Sequence, residues 1–178
     1  MKRNKQTPIV LVVLFLVSTA GVVDGANIIS NPGFESGTTN WNFYTNGVWY
    51  TGAASPGYGG TGNALYVYFS SIGNNMQVYQ NLNNLEPYTH YRLSFAAYSS
   101  NGNDIKFKLI NHTSAATYGL DKTFNLNKSW ETFSTEFTTT GFTRTWPSMR
   151  TVGSISTTSR RIISCITTLF GMRAMGFG

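Results

Sequence analysis

Residues able to do acid–base or metal chemistry are sparse in this 178-residue chain. Outside the N-terminal leader they are Glu35, Glu86, Asp104, Asp121, Glu131, Glu136, His90 and His112. Glycoside hydrolysis needs two carboxylates that face each other across a cleft, and no spacing among these acids nominates such a pair. The histidines lack metal-ligand spacing, and the chain has no Gly-x-Ser-x-Gly elbow or phosphate-binding loop. We therefore expect that the chain is not an enzyme.

Residues suited to binding sugars are more numerous. A sugar ring has C–H groups on its face and hydroxyls at its edge, so its site needs flat aromatic rings beside hydrogen-bonding side chains. Outward strand positions and glycine-rich connections supply both aromatic rings and hydrogen-bonding side chains. The candidates for carbohydrate binding are Trp49, Tyr50, Tyr58, Tyr66, Tyr68, Gln77, Tyr79, Arg92 and Tyr98. The alternative is that several of these tyrosines cover a convex face, and we expect Trp41 and Trp130 in the core.

Alternation of apolar and polar residues indicates the strands that position these side chains. Leu65, Val67 and Phe69 share one face of a strand, whereas Tyr66 and Tyr68 share the other. The same period of two recurs over 91–98, 105–109 and 133–137, and Gly-rich and Asn-rich turns separate the runs. The sequence therefore predicts an all-β fold, a jelly-roll β-sandwich of antiparallel strands.

The N-terminus has the layout of a secretory signal peptide. Three basic residues fall within the first five positions, an apolar run follows over 9–17, and small residues stand at Gly25 and Ala26. The apolar run is short for a membrane span, although an uncleaved anchor is the alternative. We assign 1–26 to a signal peptide and expect a secreted or cell-surface protein with no other membrane contact.

The formal net charge of +6 does not indicate a nucleic-acid partner once the charges are located. Three of the 13 basic residues lie in the leader and five follow Gly141, while six of the seven acids lie between these segments. The middle of the chain is thus close to neutral and has no basic stripe for a phosphate backbone. It also contains no cysteine, so disulfides cannot stabilise it.

Four motifs in this middle part carry a resemblance to a known family. The first is N-I-I-S-N-P-G-F-E-S-G followed by Trp over 27–41, and the others lie at 60–65, 80–95 and 130–137. Together they resemble carbohydrate-binding modules of families four and nine, galactose-binding-like jelly rolls that bind cellulose, xylan or β-glucan. The resemblance implies non-catalytic binding of a β-linked polysaccharide in an aromatic-lined cleft, by a module of the kind usually attached to glycoside hydrolases.

The resemblance also implies a structural calcium ion at Glu35. In the family, the Glu of the Gly-Phe-Glu signature is commonly joined by backbone oxygens and by an acid from the final strand. Calcium takes about six to eight oxygen ligands, and no Asp or Glu follows Glu136 in this chain. A buried, hydrogen-bonded Glu35 is the alternative. We expect no other cofactor.

The resemblance ends after Thr140, where the composition changes abruptly. Residues 144–178 are basic and rich in Ser and Thr, lack acids and include the only cysteine, Cys165. We assign 27–143 to the carbohydrate-binding module and 144–178 to an aberrant tail, and we hypothesise a shifted reading frame with the last strands of the sandwich absent or replaced. A native basic tail, or an apolar strand at Ile162–Phe170, is the alternative.

The sequence leaves two classes of function. The first is a monomer that binds a polysaccharide or cell-surface glycan, and the second is a structural or adhesive cell-surface domain that keeps the fold without a glycan cleft. Outward aromatic residues on neighbouring strands favour the first.

Overall fold

The computed structural model describes residues 25–71, 76–82, 85–100, 104–111, 116–142, 147–152 and 162–175. The ten strands are β1 (Asn42–Thr45), β2 (Val48–Ala54), β3 (Ala64–Ser71), β4 (Met76–Asn81), β5 (His90–Ser99), β6 (Asp104–Asn111), β7 (Thr117–Asn125), β8 (Glu131–Thr138), β9 (Pro147–Val152) and β10 (Ile162–Ala174). A short 3-10 turn, Tyr58–Gly60, joins β2 to β3. Nearly all of the predicted signal peptide, and His112, lie outside the described residues. No helix in the described ranges is long and apolar enough to cross a membrane.

The strands form two five-stranded sheets, and the predicted jelly-roll β-sandwich is confirmed. The first sheet has the order β1-β4-β9-β6-β7 and the second the order β2-β3-β10-β5-β8. Every described pairing is antiparallel. Consecutive strands often lie in different sheets, as β3 and β4 do. This crossing decides which outward side chains can share a surface.

Aromatic side chains from both sheets meet in the core. The ring centroids of Phe95 on β5 and Phe107 on β6 are 4.5 Å apart, so this pair links the second sheet to the first. Phe124 and Phe133 also contact Phe95, at 5.0 Å and 5.2 Å. Burying one large apolar side chain contributes about 1.5 to 3 kcal/mol, so this cluster is a main stabiliser of the sandwich.

The predicted alternation agrees with the observed burial. Leu65 and Val67 on β3 are buried, whereas Tyr66 and Tyr68 between and beside them are half-buried on the other face. Leu93 on β5 is likewise fully buried. The period-two pattern therefore fixes which side chains of each strand point outward.

The Asn-x-Gly-Phe-Glu motif builds the corner before β1. The Asn31 Nδ2 donates hydrogen bonds to the carbonyl oxygens of Gly37 and Thr39, at 2.9 Å and 3.0 Å. The Trp41 Nε1 donates to the Asn31 carbonyl at 3.1 Å. Phe34 is fully buried and stacks on Trp41 with ring centroids 5.1 Å apart. The motif thus has a structural role, and the prediction of Trp41 in the core is confirmed.

Two strands lie in the segment that the sequence suggested was an aberrant tail. β9 is the middle strand of the first sheet and β10 is the middle strand of the second. The last strands are therefore not absent, and the boundary at Thr143 does not mark the end of the sheets. A physical reason is that β10 is rich in β-branched residues, and that without it β3 and β5 would each have an unpaired edge. Residues 153–161 of the tail lie outside the described part.

Candidate functional site

The outward surface of the first sheet, called here the first-sheet face, is organised in two rows that cross all five strands. Directly paired residues of antiparallel strands lie on the same face. The first row joins Asn42, Tyr79, Arg150, Lys108 and Asp121, and the second joins Tyr44, Gln77, Val152, Lys106 and Thr123. On β9, the two rows pass through the backbone positions of Arg150 and Val152. With strands about 4.8 Å apart, each row spans roughly 19 Å.

The β1 and β4 half of this face combines aromatic rings with amides. Tyr44 is 50% exposed, Asn42 is exposed, and Gln77 and Tyr79 are half-buried. The intervening Val78 is buried in the core, so alternation along β4 holds its two neighbours outward. Register places Gln77 directly across from Tyr44, and Asn42 directly across from Tyr79. Each ring therefore has an amide beside it.

The β6 and β7 half carries charge. The Lys106 Nζ lies 2.7 Å from Asp121 Oδ1, and the Lys108 Nζ lies 3.4 Å from Asp121 Oδ2. The hydrogen bond from Lys106 is the main cause that lowers the pKa of Asp121, and the charge of Lys108 adds to it. The two lysines, called here the lysine pair, thus share one carboxylate, and the three groups together carry a net charge of +1.

A separate aromatic group lies on the outward surface of the second sheet, called here the second-sheet face. Tyr50 and Tyr68 are register partners on β2 and β3, with ring centroids 6.1 Å apart, and Tyr50 is 60% exposed. The ring of Tyr66 covers Gly52, where an added Cβ would come within 2.9 Å of it. The missing side chain of Gly52 is what lets the ring lie against β2.

The rest of the second-sheet face is occupied by side chains that contact one another. Tyr98 on β5 packs edge-on against Trp130, with centroids 4.6 Å apart. Trp130 also contacts Tyr58 on the 3-10 turn, at 6.0 Å. Trp130, which was expected in the core, is half-buried. Its ring therefore packs at the margin of this face, among the tyrosines.

An ion-pair network occupies the opposite end of β5. The Arg92 guanidinium donates two hydrogen bonds to Glu136 Oε1, at 3.2 Å and 3.0 Å. The His90 Nε2 lies 3.3 Å from Glu136 Oε2. The pKa of Glu136 is lowered, first by the hydrogen bond from Arg92 and then by that from His90. Arg92 is therefore engaged within its own face.

The structure divides the predicted binding residues between two opposite surfaces. On the first-sheet face are Gln77 and Tyr79; on or beside the second-sheet face are Tyr50, Tyr58, Tyr66, Tyr68, Arg92 and Tyr98. Trp49 pairs with Phe69 in the backbone register, and its side chain lies outside the described part. The expectation of one cleft lined by all of them is therefore corrected, because β3 and β4 belong to different sheets.

Tyr44 is a surface residue that the sequence did not indicate. β1 has only four residues, and its sequence N-F-Y-T does not alternate apolar and polar residues, so the period of two did not reveal a strand. Tyr44 directly follows Phe43, and neighbouring residues of a strand point to opposite faces. Only the register with β4 shows that Tyr44 lies beside Gln77.

Glu35 is exposed and not buried, contrary to the alternative considered for it. Its Oε1 accepts a hydrogen bond from the Asn63 backbone N–H at 3.0 Å, and its Oε2 accepts one from Asn63 Nδ2 at 3.3 Å. Within the described ranges, no group of three or more His, Cys, Asp or Glu side chains could hold a metal ion. These hydrogen bonds link the loop that contains Glu35 to the loop that contains Asn63. Calcium binding at Glu35 stays a prediction.

Comparison with known proteins places this β-sandwich in the class of carbohydrate-binding modules. The model of a family of carbohydrate-binding domains, which comprises modules of families 4 and 9, matches residues 26–149. The chain belongs to this family, as the sequence motifs predicted. None of the curated protein sequences matches the chain.

Solved structures of low sequence identity share the fold. A family 4 carbohydrate-binding module is 18% identical, with a TM-score of 0.65, and the alignment covers 82% of this chain and 99% of that one. A xylan-binding domain of family 22 from Paenibacillus barcinonensis is 12% identical, with a TM-score of 0.58 and coverage of 86% and 97%. The N-terminal cellulose-binding domain of Cellulomonas fimi β-1,4-glucanase C is 18% identical, with a TM-score of 0.52 and coverage of 82% and 95%.

Proposed function

We propose that this chain is an exported, non-catalytic module that binds a β-linked polysaccharide, such as a glucan or xylan, on its first-sheet face. The observation that carries the proposal is the pairing of each outward tyrosine with an amide: Tyr44 with Gln77, and Tyr79 with Asn42. A ring offers a flat surface to the C–H face of a sugar, and an amide can both donate to and accept from its hydroxyls. The cellulose-binding and xylan-binding functions of the structural neighbours support this substrate class.

The second-sheet face supports sugar binding less well. Tyr66 pairs with Gly52, and Tyr68 pairs with Tyr50, so neither ring has an amide directly across the strand. Arg92, the cation of that face, already donates twice to Glu136. A sugar bound there would find apolar contact without the adjacent hydrogen-bonding groups that orient it.

The surroundings of two carboxylates, Asp121 and Glu136, support binding without catalysis. Asp121 lies on the first-sheet face and Glu136 on the second sheet, so the sandwich separates them. Both have a lowered pKa because cationic side chains bind them. A glycosidase needs two carboxyl groups across one cleft, one of them with a raised pKa that lets it act as the acid.

The affinity should be modest. A sugar stacked on a tyrosine ring contributes on the order of 1 kcal/mol. A few such contacts and hydrogen bonds, less the cost of immobilising a flexible glycan, imply a dissociation constant roughly between micromolar and millimolar. Because the rows extend roughly 19 Å across the strands, several sugars can be engaged together. Oligosaccharides should therefore bind more tightly than single sugars.

The experiment that tests this function is a pull-down of the exported chain on insoluble cellulose and insoluble xylan, followed by competition with soluble oligosaccharides. We expect retention on at least one polysaccharide and release by the matching hexasaccharide, but not by the monosaccharide. A folded protein that stays unbound on both, and also on a broad glycan array, would contradict the proposal. It would favour a structural or adhesive domain instead.

A further inference from the structure

The charged half of the first-sheet face contains more cationic than acidic side chains. The lysine pair on β6 faces a single acid, Asp121, on β7. At further register positions, Arg150 on β9 pairs with Lys108, and Asp104 pairs with Asn125. Among the side chains that the structure describes on this half, the lysine pair and Asp121 leave an excess of one positive charge. An exposed cationic surface raises the local concentration of anionic ligands.

The geometry of the lysine pair is suited to one carboxylate. The Nζ atoms of Lys106 and Lys108 lie 2.7 Å and 3.4 Å from the two different oxygens of Asp121. The carboxylate is thus held between two ammonium groups, each side chain being about one third exposed, at 29% and 30%. A carboxylate from a ligand could share these donors, because each ammonium group has three N–H bonds.

The lysine pair lies in the same rows as the aromatic half. Tyr79 and Lys108 both pair with Arg150, and Gln77 and Lys106 both pair with Val152. Two strand spacings therefore separate Tyr79 from Lys108, which is roughly 10 Å. A glycan chain that rests on Tyr79 and runs across the strands passes over the lysine pair. Groups attached to its neighbouring sugars then meet the ammonium groups.

We propose that the first-sheet face prefers a polysaccharide that carries carboxylate groups, one that contains uronic acids, over the neutral chain with the same backbone. This inference rests on the proposed function, since the aromatic half must hold the backbone. The lysine pair is the specificity-determining element. Asp121 is an intramolecular competitor that occupies the same donors as the carboxylate of the ligand.

Because Asp121 competes with a ligand carboxylate for the lysine pair, changes to Asp121 and to the lysines should have opposite effects on binding of an acidic glycan. Removing the lysines removes the attraction for a ligand carboxylate. Replacing Asp121 by asparagine removes the negative charge that competes for the lysines and increases the positive charge of the face. The two changes should therefore move the preference for an acidic glycan in opposite directions, whereas a general loss of structure would move both in the same direction.

The experiment compares a β-1,4-linked glucan hexasaccharide with a β-1,4-linked glucuronan hexasaccharide by calorimetry, using the full exported chain. We expect the unsubstituted protein to bind the glucuronan about two- to fivefold more tightly at an ionic strength of about 20 mM, and equally at about 500 mM. The ratio of the two affinities should fall to about one in a Lys106→Gln, Lys108→Gln double variant. It should rise severalfold in Asp121→Asn. Lys128→Gln, which removes an exposed lysine between β7 and β8 and outside the two rows, is the control and should keep the original ratio.

Each outcome distinguishes the inference from the function on which it rests. If both hexasaccharides bind equally, or if the preference survives in the double lysine variant, the inference is wrong and the proposed function stands. If neither hexasaccharide binds, the inference fails, and the proposed function is then decided by the pull-down on xylan and the glycan array. A sulfated glucan that binds more tightly than the glucuronan would overturn the assignment to a carboxylate.

Discussion

Tyr44 lies directly across from Gln77 in the antiparallel ladder between β1 and β4. The Cβ atoms of such a pair are about 5 Å apart, so one sugar can rest on the ring while the amide reaches its hydroxyls. Asn42 and Tyr79 repeat this combination two residues away. No described tyrosine of the second-sheet face has an amide directly across the strand. The proposed site is therefore created by register between strands that are far apart in the sequence.

The first prediction concerns the pH dependence of Asp121. Its pKa is lowered, mainly by the hydrogen bond from Lys106, and should lie below the value of about 3.9 for an unfolded chain. The interaction therefore stabilises the fold above about pH 4 and is lost as the pH falls through the folded-state pKa. Titration of the Asp121 carboxyl by NMR should show a low midpoint that rises in Lys106→Gln. A midpoint of about 4 in both proteins would show that the ion pair does not form in solution.

The second prediction concerns Glu35. Replacing Glu35 by alanine removes two hydrogen bonds to Asn63, and we expect a loss of about 1 kcal/mol in the free energy of unfolding. If these bonds are its whole role, the loss should be the same in EDTA and in millimolar calcium. A calcium site would instead appear as a rise in Tm with added calcium that Glu35→Ala abolishes.

The third prediction concerns the C-terminal segment. Because β10 pairs with β3 on one side and β5 on the other, its amides over 164–167 should exchange slowly with solvent. Hydrogen exchange followed by mass spectrometry tests this, with the peptide containing Leu93 of β5 as a protected reference. Exchange over 162–170 at the rate of an unfolded peptide would contradict the strand and favour the hypothesis of a shifted reading frame.

The reading frame has a separate test in the gene itself. Translation of the two other frames after codon 140 should give no alternating strand that ends near acidic residues, if the present C-terminal strands are native. Such a strand in another frame would support the frameshift.

The fourth prediction concerns export. The basic start, the apolar run over 9–17 and the small residues at Gly25 and Ala26 indicate cleavage by a signal peptidase. Mass spectrometry of the protein in the medium should find an N-terminus between Gly21 and Asn27. Chains in the medium that still begin with Met1 would contradict cleavage.

Local alternation was sufficient to predict the strands β3, β5, β6 and β8. It placed Leu65 and Val67 inward and Tyr66 and Tyr68 outward because neighbouring side chains of a strand point to opposite faces. It could not assign strands to sheets. β3 and β4 follow each other in the chain but lie in different sheets, so Tyr68 and Tyr79 lie on opposite surfaces. That separation depends on long-range pairing, which no short window of sequence contains.

The charged half of the first-sheet face also depends on long-range pairing that local sequence does not contain. The alternation along β6 predicts that Lys106 and Lys108 share a face. Their common partner Asp121 lies on β7, and its place between them depends on the β6–β7 register, which shifts between Lys108 and Ile110. Irregularities of this kind are set by the packing of the whole sheet. The sequence therefore predicted the types of residue on this face but not their combination.

Binding of the glycan on the first-sheet face is tested by paired alanine variants on the two faces. Calorimetry with cellohexaose and xylohexaose should show that Tyr44→Ala and Tyr79→Ala each weaken binding about five- to tenfold, the loss of about 1 kcal/mol of stacking. The matched changes on the other surface, Tyr50→Ala and Tyr68→Ala, should leave the affinity within about twofold. All four variants should keep a Tm close to that of the unsubstituted protein, because these rings lie outside the core. If Tyr50→Ala and Tyr68→Ala weaken binding while Tyr44→Ala and Tyr79→Ala do not, the glycan binds on the second sheet and the account is wrong.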